Sequence, residues 1–104
     1  MTNKELLNAA AMAAGISGNW RELPGRPERF IRDNFKAWDP LSNDGDALRL
    51  SAALGINVIY TLDGGAVTVN AGGFLTALQQ GESVIDATRR AIVSAAAEIG
   101  RSIR

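Results

Sequence analysis

The sequence predicts an α+β fold: a single small domain over residues 1–104, in which helices pack on one face of a short antiparallel β-hairpin sheet. Three observations support this prediction. The chain has 104 residues, the length of one ordinary domain. Apolar residues make up 46% of it and aromatic residues only 6%, and seventeen alanines indicate closely packed helices. One stretch alternates apolar and polar residues, as a hairpin does.

The first element is a helix predicted over residues 3–14. Thr2 and Glu5 form a capping box, in which the threonine oxygen accepts from the Glu5 amide and the glutamate reaches back to the threonine. Apolar residues then recur at helical spacing, and Gly15 can close the helix in a left-handed conformation.

The segment over residues 19–38 leaves helix and strand open. Ile31, Phe35 and Trp38 recur at helical spacing, which suits a short helix that starts after Pro27. Two short strands on either side of a proline-glycine turn fit the same residues. Both tryptophans of the chain and two of its three phenylalanines lie in this segment, so most of them are expected in the core or in a lid.

A second helix is predicted over residues 45–54. The polar run at 42–46 supplies side-chain oxygens for its first amides, and Gly55 can end it. The preceding element ends at Asp39-Pro40, because a residue before proline is pushed out of the helical region.

Residues 56–70 carry the clearest strand pattern, because apolar and polar residues alternate on both sides of a turn. Asp63-Gly64 is a preferred two-residue hairpin turn. A turn at that place sets Tyr60 opposite Val67, so that apolar residues meet apolar ones. The outer edges of the hairpin stay open, which predicts a homo-oligomer, with a homodimer favoured.

Residues 74–80 fit either a helical turn or a third strand, and the apolar spacing favours the helical turn. The longest helix is predicted over residues 84–100, after a second capping box formed by Ser83 and Asp86. Its apolar stripe consists of Ile85, Ile92, Ala96 and Ile99.

Arg89 lies at the edge of this apolar stripe, whereas Arg90 is predicted to face solvent. A guanidinium at the border of a core is costly unless it has an anionic partner. One interpretation is an internal salt bridge with Asp44 or Asp46. The other is a clamp of Arg89 and Arg90 that binds the phosphate or carboxylate of a ligand.

Two long blocks of the sequence carry a resemblance. The first covers residues 38–50, with the pattern W-x-P-L-x-x-D-G-D-A-L-R-L, and the second covers residues 87–101, with the pattern A-T-R-R-A-I-V-x-A-A-A-E-I-G-R. Both are similar to a family of short uncharacterised proteins encoded by tailed phages and prophages of proteobacteria. Members of that family commonly carry two acidic residues before the glycine, where this chain has Asn43 and Asp44. The resemblance implies a phage origin and no particular activity.

Composition excludes several classes of chemistry. The chain has no histidine and no cysteine, which excludes histidine-dependent catalysis, thiol chemistry and disulfides. Eleven basic residues balance eleven acidic ones, so we expect no nucleic-acid partner. No apolar run reaches the ~20 residues that span a bilayer, so we expect no membrane partner and a location in the host cytoplasm. No cofactor, metal ligand or catalytic residue is expected, and the protein is predicted not to be an enzyme.

These observations predict a phage accessory protein that counters host defence by binding. The preferred mode is sequestration of a small anionic nucleotide that serves as an immune signal. Trp38 would stack on the base, and Asp44 and Asp46 would accept from ribose hydroxyls. Arg89 and Arg90 would bind the phosphates.

Two alternatives stay open. The first is a protein-interaction inhibitor that blocks a host defence complex, such as a CRISPR complex, through an exposed aromatic surface at residues 20–35. The second is a structural or unassigned phage protein.

Overall fold

The computed structural model describes residues 2–63 and 66–102, which form three helices and two antiparallel sheets. Helices pack against the larger sheet, so the predicted α+β class is confirmed. In chain order the elements are α1 (Asn3–Ala14), β1 (Gly18–Leu23), β2 (Arg26–Arg32), α2 (Asp44–Leu54), β3 (Val58–Asp63), β4 (Ala66–Ala71), β5 (Phe74–Ala77) and α3 (Val84–Ser102). None of these described helices combines the length and the apolar composition needed to cross a membrane.

α1 begins and ends as predicted. The Thr2 hydroxyl oxygen accepts from the Glu5 amide at 3.1 Å, and the Glu5 carboxylate accepts from the Thr2 amide at 3.2 Å. Gly15 closes the helix with a φ of 69°. The buried side of α1 packs on α3 so closely that a Cβ at Gly100 would lie 1.9 Å from the Ala9 carbonyl oxygen.

The segment 19–38 contains two strands, so the helical alternative after Pro27 is wrong. β1 and β2 pair antiparallel and set Trp20 opposite Phe30. The two ring centroids are 5.7 Å apart in an edge-to-face arrangement, on the side of the hairpin that faces α1. Phe35 lies in a turn beyond β2, where its φ is 65° and its side chain is exposed, so its helical spacing does not reflect a buried helix face.

The second sheet has the strand order β3-β4-β5, with both pairs antiparallel. The predicted hairpin is present, but its predicted register is wrong, since Tyr60 lies opposite Val69 and not Val67. The predicted turn at 63–64 is wrong as well, because residue 63 is itself paired, and the connection at 64–65 lies outside the described residues. A pairing shifted by two residues keeps every side chain on its face, so alternation alone does not distinguish the two registers.

Residues 74–77 form the strand β5, so the helical turn that the apolar spacing favours over residues 74–80 is wrong. Gly72 and Gly73 have φ values of 57° and 92°, which suit the two-residue turn that pairs Phe74 with Ala71. The chain therefore returns along β4 as a strand. Pairing with β4 outweighs the local spacing, which is a property of only a few residues.

α2 and α3 lie close to their predicted bounds, with Asn43 as the N-cap of α2. The predicted stripe of α3 is buried at Ile92 and Ala96 but wrong at its ends, because Ile85 and Ile99 are exposed. α3 contacts α1, α2, β4 and β5, so its buried surface is wider than one stripe. Nine described residues of α3 are buried, and five of these are alanines, which let the neighbouring elements pack closely.

Candidate functional site

Arg89 connects α3 to the turn that precedes α2. Its Nε donates to the Leu41 carbonyl oxygen at 2.9 Å, and its two terminal nitrogens donate to the carboxylates of Asp44 and Asp86. The side chain is 14% exposed, so the guanidinium is paired where it leaves the core. The internal salt bridge with Asp44 is present, whereas Asp46 is not part of it. Sequence reasoning missed Asp86, although its position three residues before Arg89 could have indicated it.

Asp46 stabilises the start of α2 from within the chain. One carboxylate oxygen accepts from the Asp39 amide at 3.0 Å, and the other accepts from Arg49 at 2.9 Å. The Asp46 amide donates to the side chain of Asn43 at 2.9 Å. Both oxygens of this buried carboxylate therefore have partners in the same segment of chain.

Trp38 lies in the core, where it is 3% exposed and packs edge-to-face on Phe30 with 5.6 Å between ring centroids. It lines a cavity of about 420 Å³ that also has Trp20 in its wall. At the rim, the Lys4 ammonium lies 5.2 Å from the Trp20 ring centroid and 3.0 Å from the carboxylate of Glu28. Of the five residues predicted to bind a ligand, only Trp38 lines this cavity.

Arg90 does not face solvent, so that part of the prediction is wrong. Its Nε and Nη2 donate to the two carboxylate oxygens of Glu82 at 2.9 and 2.8 Å, and its Nη1 donates to the Thr76 hydroxyl at 2.9 Å. Its Nη2 also donates to the Ala77 carbonyl oxygen at 3.1 Å. The bonds from Arg90, together with a bond from the Gln79 amide, lower the pKa of Glu82 to about 2, and the same pair raises the pKa of Arg90.

The five predicted binding residues do not form one site. Asp44 and Arg89 are brought together, while Trp38 and Asp46 lie in the segment beside them, and Arg90 belongs to a separate contact with β5. Each charged member of the set has a partner within the chain. An anionic ligand would therefore have to displace a carboxylate to reach either guanidinium.

An apolar groove lies beside Arg89, between α2, α3 and β3, and has a volume of about 330 Å³. Leu48 of α2, Tyr60 of β3 and Ile85 of α3 line it and are 69%, 54% and 58% exposed. We call these three residues the apolar patch. The Tyr60 hydroxyl lies 3.0 Å from the Thr88 hydroxyl, and this hydrogen bond holds the ring at the wall of the groove.

Sequence reasoning did not find the apolar patch, although one signal was present. Leu48 is a large apolar residue, but it does not lie on the face of α2 that carries the buried Ala47 and Leu50. A large apolar residue on the polar side of a helix indicates an exposed contact surface. Ile85 gave no such signal, because its spacing fits the predicted apolar stripe of α3. In the structure, the buried part of that helix begins only at Ala87.

Comparison with protein-family models, curated proteins and solved structures finds no match for this chain. The resemblance to short tailed-phage proteins therefore stays a prediction. Within residues 2–63 and 66–102, no three acidic side chains come together in an arrangement that could hold a metal ion. The strongest candidate site is the apolar patch, with the Asp44–Arg89 pair at its edge.

Proposed function

We propose that this protein acts by binding another protein at the apolar patch, without catalysing a reaction. The observation that carries the proposal is the exposure of three large apolar side chains around one groove. Single exposed apolar residues are common, but grouped ones are typical of interaction surfaces. The paired Asp44 and Arg89 give the groove a polar rim, as protein interfaces usually have.

The groove suits an apolar side chain of the partner protein. Two helices and a strand surround its volume of about 330 Å³. Full burial of a leucine or isoleucine side chain contributes about 1.5–3 kcal/mol. A few such buried anchors carry most of the energy of a typical interface. We therefore expect the three patch residues, and not the charges around them, to determine the affinity.

Binding is proposed in place of catalysis because the reactive groups near the patch are occupied. Asp44 and Asp86 are paired with Arg89, and both oxygens of Asp46 accept hydrogen bonds. The sequence supplies no histidine or cysteine as a base or nucleophile. Following the resemblance to phage proteins, the partner would be a host defence protein, bound in the host cytoplasm.

A patch variant and a matched control test the proposal. Leu48→Asp places a charge in the patch, and Leu75→Asp places the same charge on the opposite face of the sheet, where Leu75 is 65% exposed. A photo-crosslinking residue at position 85 first identifies the partner in infected cells. With that partner purified, we expect Leu48→Asp to bind at least tenfold more weakly, a loss of about 1.4 kcal/mol, and Leu75→Asp to bind as the unaltered protein does.

Equal affinity of all three proteins for the crosslinked partner would overturn the proposal. So would a crosslink that both aspartate variants lose equally, because the loss would then not depend on which face of the protein carries the added charge. Circular dichroism of each variant verifies that the fold is retained.

Nucleotide capture remains a second candidate because of the cavity that Trp38 lines. Its volume of about 420 Å³ lies in the range of small-ligand sites. Both tryptophans of the chain line it, so a bound nucleotide base would change the tryptophan emission. Titration with cyclic and linear nucleotides is expected to shift that emission under this candidate. An unchanged spectrum at millimolar nucleotide would count against it.

A further inference from the structure

We infer that two copies of this chain pair through the outer edge of β3, so that two three-stranded sheets join into one continuous antiparallel sheet. β3 bonds to β4 along one side, and among the described residues no hydrogen bond reaches its other side. A strand edge with free backbone groups is a template for another strand. This inference goes beyond the proposed function and does not depend on it.

The smaller sheet has protected edges. The returning chain covers the outer edge of β2, where the Trp38 amide donates to the Phe30 carbonyl oxygen at 2.9 Å. β1 carries the adjacent charges Arg21 and Glu22, both exposed. Charged side chains and a covering segment are two ways in which natural proteins prevent strand addition.

β5, the other edge of the larger sheet, is also protected. It is only four residues long, and Arg90 donates to both Thr76 and Ala77 within it. β3 is six residues long, contains no proline, lysine or arginine, and has its one charge, Asp63, at its end. Among the described strands, β3 is therefore the edge that lacks such protection.

A second copy of β3 is a suitable partner for this edge, because its side chains match those of the edge. Ile59 and Leu62 are 58% and 74% exposed on opposite faces of the strand, and Tyr60 between them is half exposed. An occupant should be an uncharged extended segment with apolar residues on both faces, and β3 is itself such a segment. Each copy would then cover the edge that the other leaves open, in a closed two-fold arrangement.

The sequence of β3 also indicates the register of the pair. With the two-fold axis at Tyr60, Val58 of one copy lies opposite Leu62 of the other, so apolar residues meet on the face that carries the groove. In the same register, position 63 of one copy pairs with position 57 of the other. The equal numbers of acidic and basic residues leave no net charge to oppose association.

The pairing would complete the groove. Val58 lines the groove, so in this register Leu62 of the second copy lies next to its open side. Leu48 and Ile85 belong to α2 and α3 and stay available to a partner protein. The second copy thus contributes one apolar side chain to the site of the first.

Light scattering and cysteine crosslinking test this inference. We expect the protein to elute at high micromolar concentration with twice its chain mass of 11.0 kDa. Because the chain has no cysteine, Tyr60→Cys can form a disulfide only between copies. Paired residues at a two-fold axis have Cα atoms about 4.5–5.5 Å apart, which a disulfide can bridge. Leu75→Cys, similarly exposed on β5, is expected to crosslink much more slowly.

A lysine substitution at the edge of β3 is the second test of the inference. Leu62→Lys is expected to raise the monomer–dimer dissociation constant at least tenfold, and Leu75→Lys is expected to leave it unchanged. A monomeric unaltered protein, an equal effect of the two lysines, or equal crosslinking of the two cysteines would overturn the inference. Leu48→Asp should still dimerise, so failure of the proposed function and failure of the dimer give different results.

Discussion

At the scale of single residues, two adjacent arginines of α3 hold different parts of the chain. Arg89 bonds to the turn before α2, and Arg90 bonds to Glu82 and to the end of β5. Each guanidinium fork satisfies several acceptors at once, so one side chain fixes a whole segment that lacks regular structure. The charges near the candidate site therefore have structural partners, while the side chains of Leu48 and Ile85 are largely exposed.

The contribution of Arg89 is measurable by unfolding. Arg89→Ala is expected to lower the free energy of unfolding by about 1–2 kcal/mol, because three contacts are lost. The cost stays moderate because Asp44 and Asp86 are more than half exposed and regain water. Urea denaturation measures the loss. Arg29→Ala, which removes a guanidinium at an exposed site of β2, should change stability by no more than about 0.5 kcal/mol, and equal losses would contradict this account.

The Glu82–Arg90 pair predicts a pH dependence of stability. The pKa of Glu82 is lowered in the folded protein from 4.5 to about 2, so the folded state favours the ionised carboxylate. Its contribution is complete above about pH 5 and is lost as the pH falls toward 2. We expect Glu82→Gln to lower the free energy of unfolding by about 1–2 kcal/mol at pH 7 and by progressively less in acid.

Urea denaturation of both proteins between pH 7 and pH 2.5 tests this prediction. A difference that stays constant over this range would contradict it, and Glu22→Gln, at an exposed site of β1, serves as the control.

At the scale of the elements, the helices were predictable and the strand pairing was not. Caps are local signals, so Thr2 with Glu5 and the closing Gly15 define α1 from the sequence alone. The register of β3 and β4 depends on partners farther along the chain, and a shift of two residues satisfies the same alternation. The same reason explains β5, whose strand form depends on pairing with β4.

The contact between α1 and α3 depends on the absence of a side chain at one position. A Cβ at Gly100 would meet the Ala9 carbonyl oxygen at 1.9 Å, so Gly100→Ala must push the helices apart. We expect it to lower the free energy of unfolding by about 1–3 kcal/mol or more. In Gly45→Ala the two nearest atoms are nitrogens at the end of the exposed Arg49 side chain, at 3.2 and 3.3 Å, so a small shift of that side chain accommodates the Cβ and the cost should be much smaller. Thermal unfolding measures both, and equal effects would contradict the close approach.

At the scale of the whole molecule, the sequence blocks over residues 38–50 and 87–101 lie against each other. Arg89 of the second block bonds to Leu41 and Asp44 of the first. The sequence indicated Arg89 by its place at the edge of an apolar stripe and Asp44 by its place at a helix start, and their geometry is that of a structural contact. The apolar patch draws on Leu48 from the first block and on Tyr60 and Ile85 from outside both, so only the fold brings it together.

α3 is the last described element to leave the ribosome, and it is also the element on which α1, α2 and the larger sheet pack. Before its buried alanines emerge, the sides of α1, α2 and the larger sheet that pack on α3 are uncovered. The contacts that join these elements therefore form only after residues 84–102 have been synthesised, and a nascent chain stalled before residue 84 should be held by chaperones.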